Sequence, residues 1–184
     1  MDSDLTLDFI IIIVLIIANG LFSMTELAIV NAKKRKLEEL AEAGNERAKK
    51  AFELAENPND MFSTIQIGIT LVGILTGLYS GATFSGPLEE ILTANIPSIE
   101  PYAASVSSFL IVAIITYLSL VIGELVPKRL ALNSPEGIAV VVAKPIYWLS
   151  VALKPIVSFL GISTEFLLKI LGVTVKEEAP VTES

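Results

Sequence analysis

The 184 residues contain no cysteine and no histidine. These two absences remove a structural zinc site, a thiol redox pair, a Ser-His-Asp triad and the usual haem ligands. Any metal would have to be held by oxygen. Charge is also scarce, with 18% of residues Asp, Glu, Lys or Arg against 53% hydrophobic. No Lys or Arg occurs between Ala51 and Pro127. A net charge of −7 gives no support to a nucleic-acid partner. Mean hydropathy is +0.69, well above that of an ordinary soluble domain, so water is not the chain's main solvent.

Phe9 to Val30 is apolar for longer than the core of a signal peptide, and Asp2, Asp4 and Asp8 precede it where a cleavable signal carries Lys or Arg. It reads as a retained membrane helix. Crossing the hydrocarbon takes roughly 20 mostly apolar residues, and three stretches qualify: Phe9 to Val30, Met61 to Gly81, and Tyr102 to Glu124. The run Lys33-Lys34-Arg35-Lys36, with Arg47, Lys49 and Lys50, places residues 33–58 in the cytoplasm and the N-terminus outside by the positive-inside rule. Leu37, Leu40, Ala48, Phe52 and Leu54 recur there at near-helical spacing. The segment is expected to form an amphipathic helix or helix pair broken around Gly44-Asn45. The connection Ala82 to Pro101 holds Glu89, Glu90 and Glu100 and no base, and is expected outside.

From Ile138 to Val173 the chain is apolar again, but Pro145 and Pro155 interrupt it and Lys144, Lys154 and Lys169 punctuate it. Over 135–173 the expectation is two or three cytoplasmic juxtamembrane helices, interfacial or re-entrant, rather than a fourth crossing. Residues 176–184 read as a polar linker to further domains. The expected fold is therefore an all-α integral membrane protein with three transmembrane helices per subunit and cytoplasmic juxtamembrane helices.

Polar groups inside the spans carry the chemistry. In the first span Asn19, Ser23 and Glu26 share one face; the bland reading of Glu26 is an interfacial carboxylate beside Lys33 and Lys34. In the second, Ser63, Gln66 and Thr70 share a face, as interhelical glue or as ligands. They precede the overlapping small-residue motifs Gly73 to Gly77 and Gly77 to Gly81, whose reading is helix packing, within or between subunits. The third span holds Ser105, Ser108, Thr116 and Ser119 near one stripe and ends in Gly123-Glu124-Leu125-Val126-Pro127-Lys128. Pro127 has no N–H for the Gly123 carbonyl and its ring would clash with that oxygen, so a helix break is expected. The freed carbonyl beside Glu124 would make a hard-oxygen site suited to Mg²⁺ or Na⁺. The alternative for Glu124 is an ion pair with Lys128, four residues on, which a break would weaken. No His or Lys base lies at a plausible depth beside Ser23 and Glu26, so no enzyme activity is expected.

The segments Asn19-Gly20-Leu21-Phe22-Ser23-Met24-Thr25-Glu26, Ser63-Thr64-Ile65-Gln66-Ile67-Gly68-Ile69-Thr70-Leu71 and Gly123-Glu124-Leu125-Val126-Pro127-Lys128 resemble, in order and spacing, the membrane domain of the CorC/CNNM family, often labelled hemolysin-like. The resemblance implies a homodimer of three-span subunits in the cell membrane, exporting Mg²⁺ in exchange for Na⁺. It implies a Mg²⁺ held by Ser23, by Ser63 with Gln66 or Thr70, by Glu124 and by the Gly123 carbonyl. Asn19 and Glu26 are candidates for the Na⁺ pathway. Where many relatives have a Gly-Asn pair in the second span, this chain has Gly68-Ile69-Thr70, so an amide ligand from that helix would have to be Gln66. ATP binding belongs to the family's CBS-pair domain, which lies outside this sequence. The rival function is a membrane platform that senses Mg²⁺ without carrying it.

The absence of cysteine makes the expected topology simple to test. In sealed cells, a membrane-impermeant maleimide should label Ser3→Cys from outside and leave Glu38→Cys untouched until the membrane is opened; the reverse pattern would invert the assignment.

Overall fold

A computed structural model describes residues 2–172, and among these every regular element is helical. The linker expected at 176–184 lies outside the described residues. Helix α1 spans Asp2–Asn31. A short hairpin follows, α2 (Lys34–Glu42) and α3 (Glu46–Glu56). Gly44 turns it at φ 90°, in the left-handed region that glycine enters freely. Asn45 then caps α3, its side-chain oxygen accepting from the Arg47 and Ala48 N–H groups. The break expected around Gly44-Asn45 is therefore present.

Helix α4 runs over Asn59–Asn95, followed by a 3₁₀ turn at Pro97–Tyr102. Helix α5 (Ala103–Leu120) passes through one π turn, Val121–Leu125, into α6 (Val126–Asn133), and α7 covers Pro135–Ile170. Four stretches are long and apolar enough to cross a bilayer: Leu5–Asn31, Asn59–Asn95, Pro97–Asn133 and Pro135–Ile170. Most of the 82–101 connection is helical, since α4 carries Pro87 inside it and extends to Asn95. One expectation is corrected. The segment expected as two or three short juxtamembrane helices is one helix of 36 residues with Pro145 and Pro155 inside. Each internal proline removes a backbone hydrogen bond, but unwinding in an apolar setting would strand many more peptide groups. Continuity is the lesser cost.

Helix α1 packs against α4 and against the π turn and α6, α4 packs against α5, and α7 packs against α3, α1 and α4. The densest core lies where the α2–α3 hairpin meets α7 and the adjoining ends of α1 and α4. Leu37, Ala51, Met61, Ile65, Ala139 and Ala143 are its buried members. Away from it the helices turn large apolar residues outward, among them Phe9, Val14, Phe109, Val112 and Phe159. In water such a surface would associate or aggregate; in lipid it is solvated.

Polar contacts tie the hairpin to α7. Helix α2 starts with Lys34, Arg35 and Lys36, the wrong charge for its positive amino end, and its N-cap Lys33 contributes no side-chain cap. Glu136 of α7 supplies the missing acid. Its carboxylate, 12% exposed, accepts from the Lys33 N–H at 3.4 Å and from Lys36 Nζ at 3.4 Å. On α3, Lys50 lies 4.1 Å from the Tyr147 ring centroid and 2.6 Å from Glu53. The hydrogen bond to Glu53 holds the Lys50 ammonium above its ordinary range.

Glu136→Ala should loosen the start of α2 by about 1–2 kcal/mol, the combined scale of a lost cap and a lost dipole partner. Limited trypsin digestion at Lys33 to Lys36 should then quicken roughly five- to thirty-fold. An unchanged cleavage rate would show that Glu136 does not hold the hairpin.

Candidate cation site

The site begins with a backbone deficit. Residue 127 is proline, so the Gly123 carbonyl lacks the N–H that would bond it in an α-helix. The chain does not break there as expected. It widens by one residue, and the Val126 N–H reaches back to the Val121 carbonyl, five residues earlier. Such single π turns absorb an interruption without ending the helix. Pro127 falls in the first turn of α6, the helical position that best accommodates its ring.

The orphaned carbonyl is satisfied from another helix. Asn19 Nδ2, on α1, donates to the Gly123 oxygen at 3.0 Å. Leu5–Asn31 is the apolar stretch of α1, which puts Asn19 near mid-span. This contact needs glycine on both sides. A Cβ on Gly20 would sit 2.9 Å from Pro127 Cγ and 3.1 Å from the Ile122 carbonyl oxygen; one on Gly123 would sit 3.2 Å from both Asn19 Nδ2 and the Ile16 carbonyl oxygen. The Gly123 carbonyl fixes the amide's orientation, because only the NH₂ end can donate to it. The other end, Asn19 Oδ1, is buried and finds no hydrogen-bond partner among the described residues.

Asn19 lines a cleft of about 240 Å³ with Gly73, Thr76 and Gly77 of α4, Ile115, Thr116, Ser119 and Leu120 of α5, and Glu124 of the π turn. Thr76 is 3% exposed and donates its hydroxyl to the Val72 carbonyl at 2.7 Å, which leaves its oxygen free to accept. The acceptors here are one carboxylate, one amide oxygen and three hydroxyls. That donor set suits a hard cation or an ammonium group. Glu124 does not face the cleft unpaired: Lys128 Nζ lies 2.6 Å from its Oε1. The π turn keeps the chain helical between them, so the ion pair that a break would have weakened is formed.

The remaining sequence candidates are dispersed. Ser23, one turn beyond Asn19, is 2% exposed. Glu26 is partly buried and makes no ion pair among the described residues. Ser63 and Gln66 line a separate groove of about 630 Å³ with Asp60 and with Ser158, Thr164 and Glu165 of α7. At 1.5 Å per residue, Ser63 is roughly 20 Å and Gln66 roughly 15 Å along α4 from Thr76. Thr70 is exposed and lines neither cavity. The ligand set implied by the family resemblance is thus not assembled in this arrangement. Gly73, Gly77 and Gly81 make no close helix contact among the described residues, for a Cβ on any of them would meet nothing within 4 Å. The glycines that admit close neighbours from other helices are Gly20, Gly123 and Gly68, the last under the Phe22 ring. Thr76 was readable only as a member of the glycine motif.

Comparison with known proteins places this geometry. The family model described as the cyclin M transmembrane N-terminal domain matches residues 10–184. The UPF0053 protein sll0260 of Synechocystis is 50% identical over 98% of this chain, and the UPF0053 protein YugS of Bacillus subtilis is 34% identical over 96%. A polyamine export protein of Escherichia coli K12 is 28% identical over 94%. The chain spans 40%, 41% and 38% of the length of these three relatives.

The approach of α1 to the π turn yields a stability prediction. Gly20→Val places a branched side chain against the Ile122 carbonyl, a backbone atom that cannot yield cheaply, and should cost about 1–3 kcal/mol. The same change at Gly77, which faces open space, should leave the monomer's unfolding midpoint in detergent within roughly 0.5 kcal/mol of wild type. Equal losses at both positions would contradict the packing described.

Proposed function

The chain belongs to the CNNM, or cyclin M, transmembrane family, and on that footing we propose that it is the membrane part of a transporter that exports Mg²⁺ in exchange for Na⁺. One observation carries this reading: Glu124 and Asn19, whose buried amide oxygen has no hydrogen-bond partner among the described residues, line the same mid-span cleft. Ionisable groups at such depth are costly and mark ion pathways. Mg²⁺ sheds water reluctantly and requires oxygen ligands. Glu124, Asn19, Thr76, Thr116 and Ser119 offer them, and the Gly123 carbonyl joins if the Asn19 amide turns away.

Ser63 and Gln66, with Asp60, line a separate groove toward the cytoplasmic end of α4, and Asn19 and Glu26 lie on the Na⁺ pathway. The protein works as a homodimer in the cell membrane with its N-terminus outside, and Gly73, Gly77 and Gly81 face the second copy. Their open surroundings support that placement.

A second reading is polyamine export. It is favoured by the relatives that carry that name and by a donor set whose carboxylate and hydroxyls would also accept from ammonium groups.

Flux through the purified protein in proteoliposomes decides among these. Mg²⁺ efflux should rise with an opposing Na⁺ gradient, and Glu124→Gln should reduce it to the background of empty vesicles. Unchanged efflux by a folded Glu124 variant would sink the proposal. Transport of labelled spermidine without Mg²⁺ would establish the second reading. Mg²⁺ binding without any flux would mark a sensing platform instead.

A further inference from the structure

In the arrangement observed, the Glu124 carboxylate and the Gly123 carbonyl are both engaged by groups of the chain itself. Lys128 Nζ sits 2.6 Å from the Glu124 carboxylate. Asn19 Nδ2 sits 3.0 Å from the Gly123 carbonyl, while its own oxygen has no partner. A positive charge thus holds the Glu124 carboxylate, and an N–H donor holds the Gly123 carbonyl, two oxygens a cation would use. Lys128 is one turn past Glu124 and 35% exposed, on a flexible stem that can withdraw without moving the helix. The Asn19 amide hangs on a broad, roughly two-fold torsion, so half a turn exchanges its donor end for its acceptor end.

We propose that Lys128 is a tethered counter-ion that fills the site between cargo ions, and that Asn19 is the paired switch. Cargo arrival displaces the Lys128 ammonium from Glu124. Asn19 then rotates, releasing the Gly123 carbonyl and offering Oδ1. The exchange replaces one cation beside Glu124 by another, so the empty carrier never leaves Glu124 bare at mid-membrane, where an unpaired charge is most costly. Cargo release is likewise driven by an internal competitor. The inference rests on the reading of this cleft as a cation site. It makes Lys128 a specificity-setting residue: a cargo must outbid an ammonium on one carboxylate, which favours divalent over monovalent ions.

The test is Mg²⁺ titration of the whole protein in nanodiscs by calorimetry. Lys128→Met removes the competitor and should tighten apparent Mg²⁺ binding roughly three- to tenfold, while slowing release and hence turnover. Lys128→Arg keeps the charge and should bind within roughly twofold of wild type. A second measurement needs no variant. Mass-spectrometric acetylation of Lys128 in the wild type should increase as Mg²⁺ is added, with the same midpoint as binding. Unchanged or weaker binding in Lys128→Met, or Lys128 labelling indifferent to Mg²⁺, would overturn the tethered counter-ion while leaving the cation site in place. Absence of Mg²⁺ binding by the wild type would overturn the underlying reading and this inference with it.

Discussion

A proline four residues after Gly123 deprives one carbonyl of its helical donor in the lower-dielectric middle of an apolar span, where no bulk water can replace it. The π turn at Val121–Leu125 holds the helix together around that loss. Asn19 crosses from α1 to satisfy the oxygen, and Gly20 and Gly123 let the two backbones come close enough for it to reach. One missing N–H therefore ties α1 to the π turn and α6, and the same approach brings Asn19 and Glu124 into one cleft.

Much of this was legible in the residues. Hydropathy and length located the apolar stretches at 9–30, 61–81 and 102–124, and Gly44-Asn45 marked the hairpin turn because each residue has a local conformational reason to be there. The Gly123 to Pro127 stretch identified the special carbonyl. What it did not disclose was the remedy, since a donor 104 residues away is a tertiary fact that no local pattern encodes. The expectation of a break failed for that reason, and with it the argument that Glu124 and Lys128 would be held apart.

One other reading failed for an energetic cause. The proline-based division of 138–173 assumed the energetics of water, where a freed peptide group finds a partner easily. In an apolar setting the penalty for unwinding is larger, and α4 and α7 run through Pro87, Pro145 and Pro155. Periodicity along α4 grouped Ser63, Gln66 and Thr70 on one face but was silent about depth. Ser63 and Gln66 were grouped with Glu124 by family resemblance, whereas they line the groove toward α7, and Thr76, one turn past Gly73, stands at the level of Asn19.

These placements separate two possible homes for the cation by a dozen residues of α4, and magnetic resonance can tell them apart. In protein carrying ¹³C at glycine carbonyls and ¹⁵N at asparagine, Mg²⁺ should move the Gly123 carbonyl and Asn19 side-chain signals together and leave Gly68, near the Ser63 groove, unchanged. Signals at Gly123 and Asn19 that ignore saturating Mg²⁺, with movement instead at Gly68, would place the ion with Ser63 and Gln66 and contradict the site described.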